Sequence, residues 1–487
     1  MENLFKINGE DNVAVALEGH GDIPAGHKVA LCDIKKGDSV IKYGYPIGYA
    51  IVNIKKGDQV HTHNLKTLLS EGSTYHYNPK IVQEYKKGAA LLKEKWMNTV
   101  PSINVYTREN DKIGIRNELW IVPTVGCVNS IATELKTWAE KEFTGIDGVH
   151  AWTHPFGCSQ LGDDHENTRK ILADLVKHPN AGGVLVLGLG CENNTMPEFK
   201  KLVGDVDESR IKFLVSQDVE DEVATSKELL RSIYSVMKND KREEAPLSKL
   251  TVGFKCGGSD GFSGITANAL VGRFCDVLTT VGGKAVLTEV PEMFGAEQIL
   301  MDRCENENVY NDTVDLINNF KEYFVKHEQV VYENPSPGNK AGGISTLEDK
   351  SLGCVQKGGK SIITDVIKYG ETVRKSGLTL LEGPGNDLVS TTAQSAAGVN
   401  LILFTTGRGT PFGSSVPTLK IASNHALAVK KSNWIDLDSS LVLNDGFEEV
   451  TKRLIDLIVK TANGEYLVKN EKSGYAEISI FKDGVVL

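Results

Sequence analysis

The sequence predicts a multidomain α/β protein: a small all-β unit at the N-terminus, followed by two α/β segments with mainly parallel sheets. Three observations predict it. Within the first 75 or so residues, short β-branched runs alternate with Gly21-Asp22, Gly37-Asp38 and Gly57-Asp58 turns, and no helical period is visible. From about 103 to 245, apolar runs alternate with helical patterns, as in a parallel sheet covered on both faces. From 247 the same alternation resumes. A chain of 487 residues suffices for about three domains, each with its own core.

In order, the runs Asn12–Leu17, Lys28–Ile34, Asp38–Tyr43 and Ile47–Ile54 predict the strands of the first unit, taken as 1–78. Residues 80–97 read as a helix and, with Pro101, form a helical linker over 79–102. The second segment, 103–246, predicts strands at Leu119–Val125, Gly183–Leu189 and Ile211–Ser216, and helices at Ser130–Glu142, Asp164–Lys177 and Val219–Met237. A charged run at 238–244 and Pro246 close it. The last segment, 247–487, predicts strands at Leu250–Phe254, Lys284–Glu289, Leu378–Leu381, Leu401–Thr405 and Leu419–Ala422. Its predicted helices are Thr266–Val281, a long region ending near His327, and Phe447–Thr461, with a final strand at Glu477–Phe481. The Gly-, Pro-, Asn- and Ser-rich stretch from Tyr332 to Gly359 reads as a long functional loop.

Composition narrows the function. At 40% hydrophobic and 24% charged residues, the chain is neither disordered nor collagen-like. Its 54 basic and 64 acidic residues leave a charge of −10, which argues against a general nucleic-acid binder. An anionic small substrate remains compatible, because a few local cations dominate a cleft. The longest apolar stretch, Gly182 to Gly190, is about half of what a membrane span needs, and residues 1–6 lack the apolar run of a signal peptide. A cytoplasmic location and free thiols are therefore expected. The eight cysteines show no CxxC spacing, which argues against a structural zinc site and against an iron–sulfur cluster. Cys158, Cys191, Cys256 and Cys354 nevertheless sit beside glycines at predicted strand ends, where loops carry chemistry.

Nucleotide motifs fail: Gly188-Leu189-Gly190 lacks the third glycine, and position 354, where a phosphate loop ending in Gly359-Lys360-Ser361 needs glycine, is Cys354. No nucleotide cofactor is expected. The histidines are more informative. In an extended segment His61 and His63 project to one side, a pairing suited to a divalent metal when a third ligand comes from elsewhere. His20 and His27 share that unit, and His150, His154 and His165 form a second group, so seven of the eleven histidines fall in two windows. Three glycine loops offer hydroxyls and amides to a polyhydroxy acid: Lys255-Cys256-Gly257-Gly258-Ser259-Asp260, Gly383-Pro384-Gly385-Asn386-Asp387, and Thr405-Thr406-Gly407-Arg408-Gly409. The last adds an arginine, the side chain shaped for bidentate carboxylate binding.

These segments, together with Gly26-His27-Lys28, Lys42-Tyr43-Gly44, Val60-His61-Thr62-His63-Asn64, Gly126-Cys127, Gly157-Cys158-Ser159 and Gly190-Cys191-Glu192, resemble the altronate/galactarate dehydratase family. The likeness runs through essentially the whole chain, in order. It implies that the small unit is a β-clip of the SAF type. It also implies a carbon–oxygen lyase that removes water from a sugar acid with a divalent metal, iron(II) or alternatively manganese(II), and no iron–sulfur cluster. The expected partner is a small anionic sugar acid, with no nucleic acid and no membrane, in a homo-oligomer, a dimer. On that resemblance His61 and His63 are expected at the metal, with His27 and Cys158 as further ligands. His154, Lys42 and Glu192 are the candidate acid and base. Lys255, Cys256, Gly257, Gly258, Ser259, Asp260, Asn386 and Arg408 are expected to hold the substrate.

Overall fold

The Lys-Lys-Gly-Asp repeats shape the N-terminal unit. In each repeat the aspartate bonds back to the first lysine: the Lys35 and Lys55 amides donate to the Asp38 and Asp58 carboxylates, and the Asp38 and Asp58 amides return to the Lys35 and Lys55 carbonyls. Gly37 and Gly57, at φ +94° and +92°, supply the left-handed residue these turns require. In the computed structural model, residues 3–69, 75–97 and 99–487 are described. Residues 1–2, 70–74 and 98, assigned above to the N-terminal unit and the linker, lie outside them.

The turns connect β1 (Leu4–Phe5), β2 (Val13–Ala16), β3 (Lys28–Ala30), β4 (Ser39–Lys42), β5 (Tyr45–Ala50), β6 (Gln59–Val60) and β7 (Leu65–Lys66). They form two antiparallel sheets, β1-β2-β3-β6 and β4-β5-β7. The segment after β6 departs from its sequence reading. His61 to Asn64 is a turn, closed by Asn64 N to His61 O at 3.0 Å and by His61 N to Asn64 Oδ1 at 2.9 Å. The asparagine competes for the backbone and ends the extended run, so His61 and His63 do not alternate along a strand. Helix α1 (Pro79–Trp96) follows, capped by the Asn78 side chain with proline in its first turn.

The second segment comprises β8 (Ser102–Thr107), β9 (Ile113–Gly114), β10 (Glu118–Pro123), α2 (Asn129–Glu142), β11 (Gly148–Ala151), α3 (Gly162–Val176), β12 (Ala181–Gly188), α4 (Met196–Val203), β13 (Ile211–Val215), α5 (Glu222–Met237) and β14 (Glu243–Pro246). Its parallel sheet runs β11-β10-β12-β13. β14 pairs antiparallel with β8 in a small separate sheet, so the charged run at its start leads into a strand.

The C-terminal segment comprises β15 (Thr251–Cys256), α6 (Ala267–Thr280), β16 (Lys284–Leu287), α7 (Glu297–Met301), α8 (Glu307–Lys326), α9 (Pro337–Ala341), α10 (Leu347–Cys354), β17 (Ile363–Ile367), β18 (Gly377–Leu381), α11 (Asp387–Ala396), β19 (Leu401–Thr406), β20 (Thr418–Ala422), α12 (His425–Lys430), β21 (Leu437–Asp438), α13 (Val442–Asp445), α14 (Phe447–Ala462) and α15 (Lys469–Ser473). Seven parallel strands order as β17-β18-β16-β15-β19-β20-β21. β15, β18 and β19 are almost wholly buried apolar runs, as expected when helices cover both faces.

Two predictions are corrected here. The stretch 332–359 is not a loop: it folds into α9 and α10, and all eight residues of α10 are buried. Ser336 and Asn339 form a capping box at α9, and the Thr346 hydroxyl caps α10. Glu477–Phe481 is not a strand; its amides bond to side chains instead, Ser479 N to Thr392 Oγ1 and Phe481 N to Tyr369 Oη. One core cluster runs without a break from Val40, Ile47 and Ala50 of the N-terminal unit to Phe254 and Leu403 of the large sheet. A second joins α3 to α11 through Ile171, Leu172, Ala393 and Ala396. These two cores lock all three segments around the large sheet.

Candidate active site

β15 starts the seven-stranded sheet in its middle. The chain then builds outward on the β16 side and returns to lay β19 on the other. At such a reversal the loops leaving the strand ends diverge and open a crevice, the usual ligand site of parallel α/β sheets. Here the loops stay joined at the base, Gly257 N to Thr405 O at 3.0 Å and Gly407 N to Gly258 O at 3.1 Å. A Cβ on Gly407 would stand 2.3 Å from Asp260 Cγ, so this approach requires glycine.

Buried charge fills the crevice. Cys256 ends β15, Glu289 and Glu292 follow β16, and Cys354 ends α10. Cys256 Sγ lies 2.7 Å from Lys357 Nζ, 3.2 Å from Glu292 Oε2 and 3.5 Å from Cys354 Sγ. Cys354 Sγ is also 3.2 Å from Glu292 Oε2. Lys357 bonds Glu289 at 2.9 Å, and Lys350 bonds Glu292 at 2.9 Å. Lys255 bonds Glu289, Asp387 and the Gly385 carbonyl. Glu289 holds a left-handed backbone at φ +68°, a strained conformation of the kind that persists at functional sites.

Burial opposes charge on these lysines, but their acidic neighbours outweigh it. Lys255, Lys350 and Lys357 therefore stay protonated well above the usual lysine range. Burial likewise favours neutral Glu292, yet Lys350, Lys255 and Lys357 hold its carboxyl well below the ordinary range. The Cys256 contact, followed by burial, pushes the Cys354 thiol well up.

Cys256, Glu292 and Cys354 also form a candidate metal centre. Their ligand atoms lie within 4.8 Å of one another, the one such group of three among the described residues. Two thiols and a carboxylate make a mixed soft and hard set that suits iron(II) better than manganese(II). The residues thus fit a divalent ion: Glu292 Oε2 faces both thiols, while its Oε1 keeps Lys350.

The N-terminal unit reaches the same place. Lys28 and Lys42 both grip Asp349 of α10, at 2.7 and 2.9 Å, with all three side chains at most 2% exposed. Lys28 also bonds Gly343 O at 2.7 Å. Burial lowers Lys28 to about 8, whereas Asp349 overcomes burial at Lys42 and raises it. Burial, eased by Lys42, leaves the Tyr43 hydroxyl raised to about 12. A cavity of about 10 Å³, room for about one water, lies between Lys42 and Tyr43 on one side and Ser259, Lys350 and Cys354 on the other.

The structure gathers some of the residues singled out in the sequence and separates others. Lys42, Lys255, Cys256, Gly257, Gly258, Ser259, Asp260 and Asn386 fall in or beside the crevice. Asp260 spends its carboxylate on Ser263, Ser423 and Asn424, and Asn386 caps α11. Arg408 stands exposed beside Gly258, and no hydrogen bond or ion pair among the described residues engages its guanidinium.

His27 and His61 stack at 5.3 Å over α9, where His61 Nε2 donates to Lys340 O. Burial lowers both imidazoles. His63 is exposed in the turn, and Cys158 belongs to the second segment. His154 and Glu192 lie there too. His154 Nε2 donates to Pro123 O and Nδ1 accepts from Phe156 N, while Glu192 accepts from Thr124 and from the Leu189 and Gly190 amides. Sequence reasoning missed Glu289, Glu292, Lys350, Lys357 and Asp349. The available signal was acidic and basic residues following an apolar strand and flanking Gly353-Cys354.

Three family models match in order: the altronate/galactarate dehydratase SAF domain over residues 17–68, the D-galactarate dehydratase/altronate hydrolase second domain over 105–238, and the D-galactarate/altronate dehydratase C-terminal domain over 247–486. An altronate dehydratase of Bacillus subtilis (strain 168) is 52% identical over the full length of both chains. An altronate dehydratase of Escherichia coli (strain K12) is 50% identical over 99% of each. A galactarate dehydratase (L-threo-forming) of Escherichia coli (strain K12) is 30% identical, covering 99% of this chain and 97% of its own. With the small β unit, the second sheet and the charged crevice of the large sheet each matched in turn, the chain belongs to the D-galactarate/altronate dehydratase family.

Proposed function

We propose that this protein is a hydro-lyase that dehydrates D-altronate to 2-dehydro-3-deoxy-D-gluconate. The observation that carries the choice of substrate is the 50–52% identity, over full length, to altronate dehydratases, against 30% to a galactarate dehydratase. The crevice supports the reaction class. Removing the C2 proton beside a carboxylate builds a dianion, and Lys255, Lys350 and Lys357 are three buried ammoniums that would stabilise such charge. Iron(II), held by Cys256, Glu292 and Cys354, would act as a Lewis acid on the substrate's oxygens. The exposed Arg408 guanidinium is shaped to take the carboxylate in two bonds. Lys42, kept protonated by Asp349 at the cavity wall, donates to the departing C3 hydroxyl.

Anaerobic turnover in heavy water tests the reading. The expected product is the 2-keto-3-deoxy acid carrying one deuterium at C3, and substrate deuterated at C2 should react more slowly. Absence of a keto acid from altronate overturns it.

A further inference from the structure

Lys42 enters the chemistry above; its neighbour Tyr43 does not. Tyr43 and Gly44 make the whole loop between β4 and β5, where Lys42 pairs with Tyr45. Both have positive φ, +63° and +79°. Two such values mark the type I′ turn, in which asparagine or aspartate normally precedes glycine. A bulky residue is strained there. The surroundings enforce the turn: the Asp11 carboxylate accepts from the Gly44 amide at 2.8 Å and from the Asn8 amide at 3.0 Å. Strain of this kind persists where a site makes use of it.

The turn sends the tyrosine out of its own unit and into the C-terminal segment. Tyr43 is only 8% exposed, and its hydroxyl is seated against Gly264 and against Gly353 of α10. A Cβ on Gly264 would stand 2.0 Å from Tyr43 Oη, and one on Gly353 would stand 3.2 Å from it. Neither glycine has a left-handed backbone, so room for the phenol, and not conformation, calls for them. Ser259, Lys350 and Cys354 line the same cavity, and the Lys42 ammonium stands 4.9 Å from the centre of the tyrosine ring. Among the described residues no acceptor takes the hydroxyl proton. A buried donor left in this way costs free energy unless a ligand supplies the acceptor.

From these contacts we propose that Tyr43 holds the oxygen that leaves: its hydroxyl donates a hydrogen bond to the C3 oxygen of the sugar acid, beside Lys42. This role rests on the dehydration reading. The cavity has room for about one water, which is what the C3 hydroxyl becomes once it is protonated. With the C2 proton gone, the electron pair left on C2 forms the C2–C3 double bond, and the C3–O bond breaks with its pair on oxygen. That oxygen takes a proton from Lys42 and departs as water; Lys42 regains its proton from solvent. Tyr43 keeps its own proton, as a phenol does at neutral pH, and its hydrogen bond stabilises the charge that grows on the oxygen as the bond lengthens.

Tyr43→Phe keeps the ring and removes the donor, and its thermal midpoint should stay near the parent's. On altronate its kcat should fall about 10²-fold with KM nearly unchanged. When loss of the oxygen slows, the C2 carbanion reverts more often. In heavy water the unreacted altronate should therefore gain deuterium at C2 faster, relative to turnover, than with the parent chain. A merely structural defect lowers exchange and turnover together. Gly353→Ala, whose methyl presses on the hydroxyl, should slow the parent and cost nothing further in Tyr43→Phe. Parent-like turnover in Tyr43→Phe, or slower turnover with no relative rise in C2 exchange, overturns the proposal. So does an equal loss from Gly353→Ala in both backgrounds. A parent chain that forms no keto acid overturns the dehydration reading and this role with it.

Discussion

Lys357 is the residue on which the crevice turns. Its ammonium touches both Cys256 and Glu289 at 1% exposure, so it fixes the charge at the end of β15. Replacing it, Lys357→Met, should lower kcat on altronate by about 10²–10³-fold, the usual effect of losing one preorganised donor. The fold should survive, because Lys255 still pairs Glu289. Steady-state kinetics beside a circular dichroism spectrum checks both statements. Lys255 and Cys256 were legible in the sequence, since a glycine loop after an apolar run announces a strand end. Glu289 and Glu292 were not, because nothing local says which acid after a strand turns inward. His61 and His63 were legible as a pair, but their alternation depended on an extended backbone that the Asn64 bond folds into a turn.

At the scale of elements, α10 joins the N-terminal unit to the crevice. Its sequence, Leu347-Glu348-Asp349-Lys350, is charged enough to read as a surface loop, yet every residue is buried. The partners that permit this, Lys28 and Lys42, lie more than 300 positions away, which no local pattern can reveal. Asp349→Asn would leave two buried ammoniums against a neutral amide and should destabilise the fold by about 3–5 kcal/mol. The pH dependence follows in sign. Burial works against ionised Asp349, but Lys28 and Lys42 prevail and hold its folded-state carboxyl well below the ordinary value. Its contribution is therefore complete above the unfolded value, about 3.9, and is lost as pH falls below it. Denaturation midpoints measured from pH 6 down to about pH 3 should drop in the parent chain. They should drop less steeply in Asp349→Asn.

For the whole molecule, alternation of strand and helix was enough to read the architecture of the two larger segments, because buried parallel strands leave continuous apolar runs. The same pattern could not say that β15 lies in the middle of its sheet, which is where the crevice comes from. Nor could it say that the N-terminal unit closes over that crevice through Lys28, Lys42 and Tyr43. The resulting site is small, buried and lined with lysines within a chain of net charge −10, an arrangement that suits a small acid rather than a polyanion. The most direct measurement is kcat/KM for altronate and galactarate on the iron(II)-loaded chain, with and without a chelator. The expected result is chelator-sensitive turnover that favours altronate. Preference for galactarate, or undiminished turnover after chelation, would contradict it.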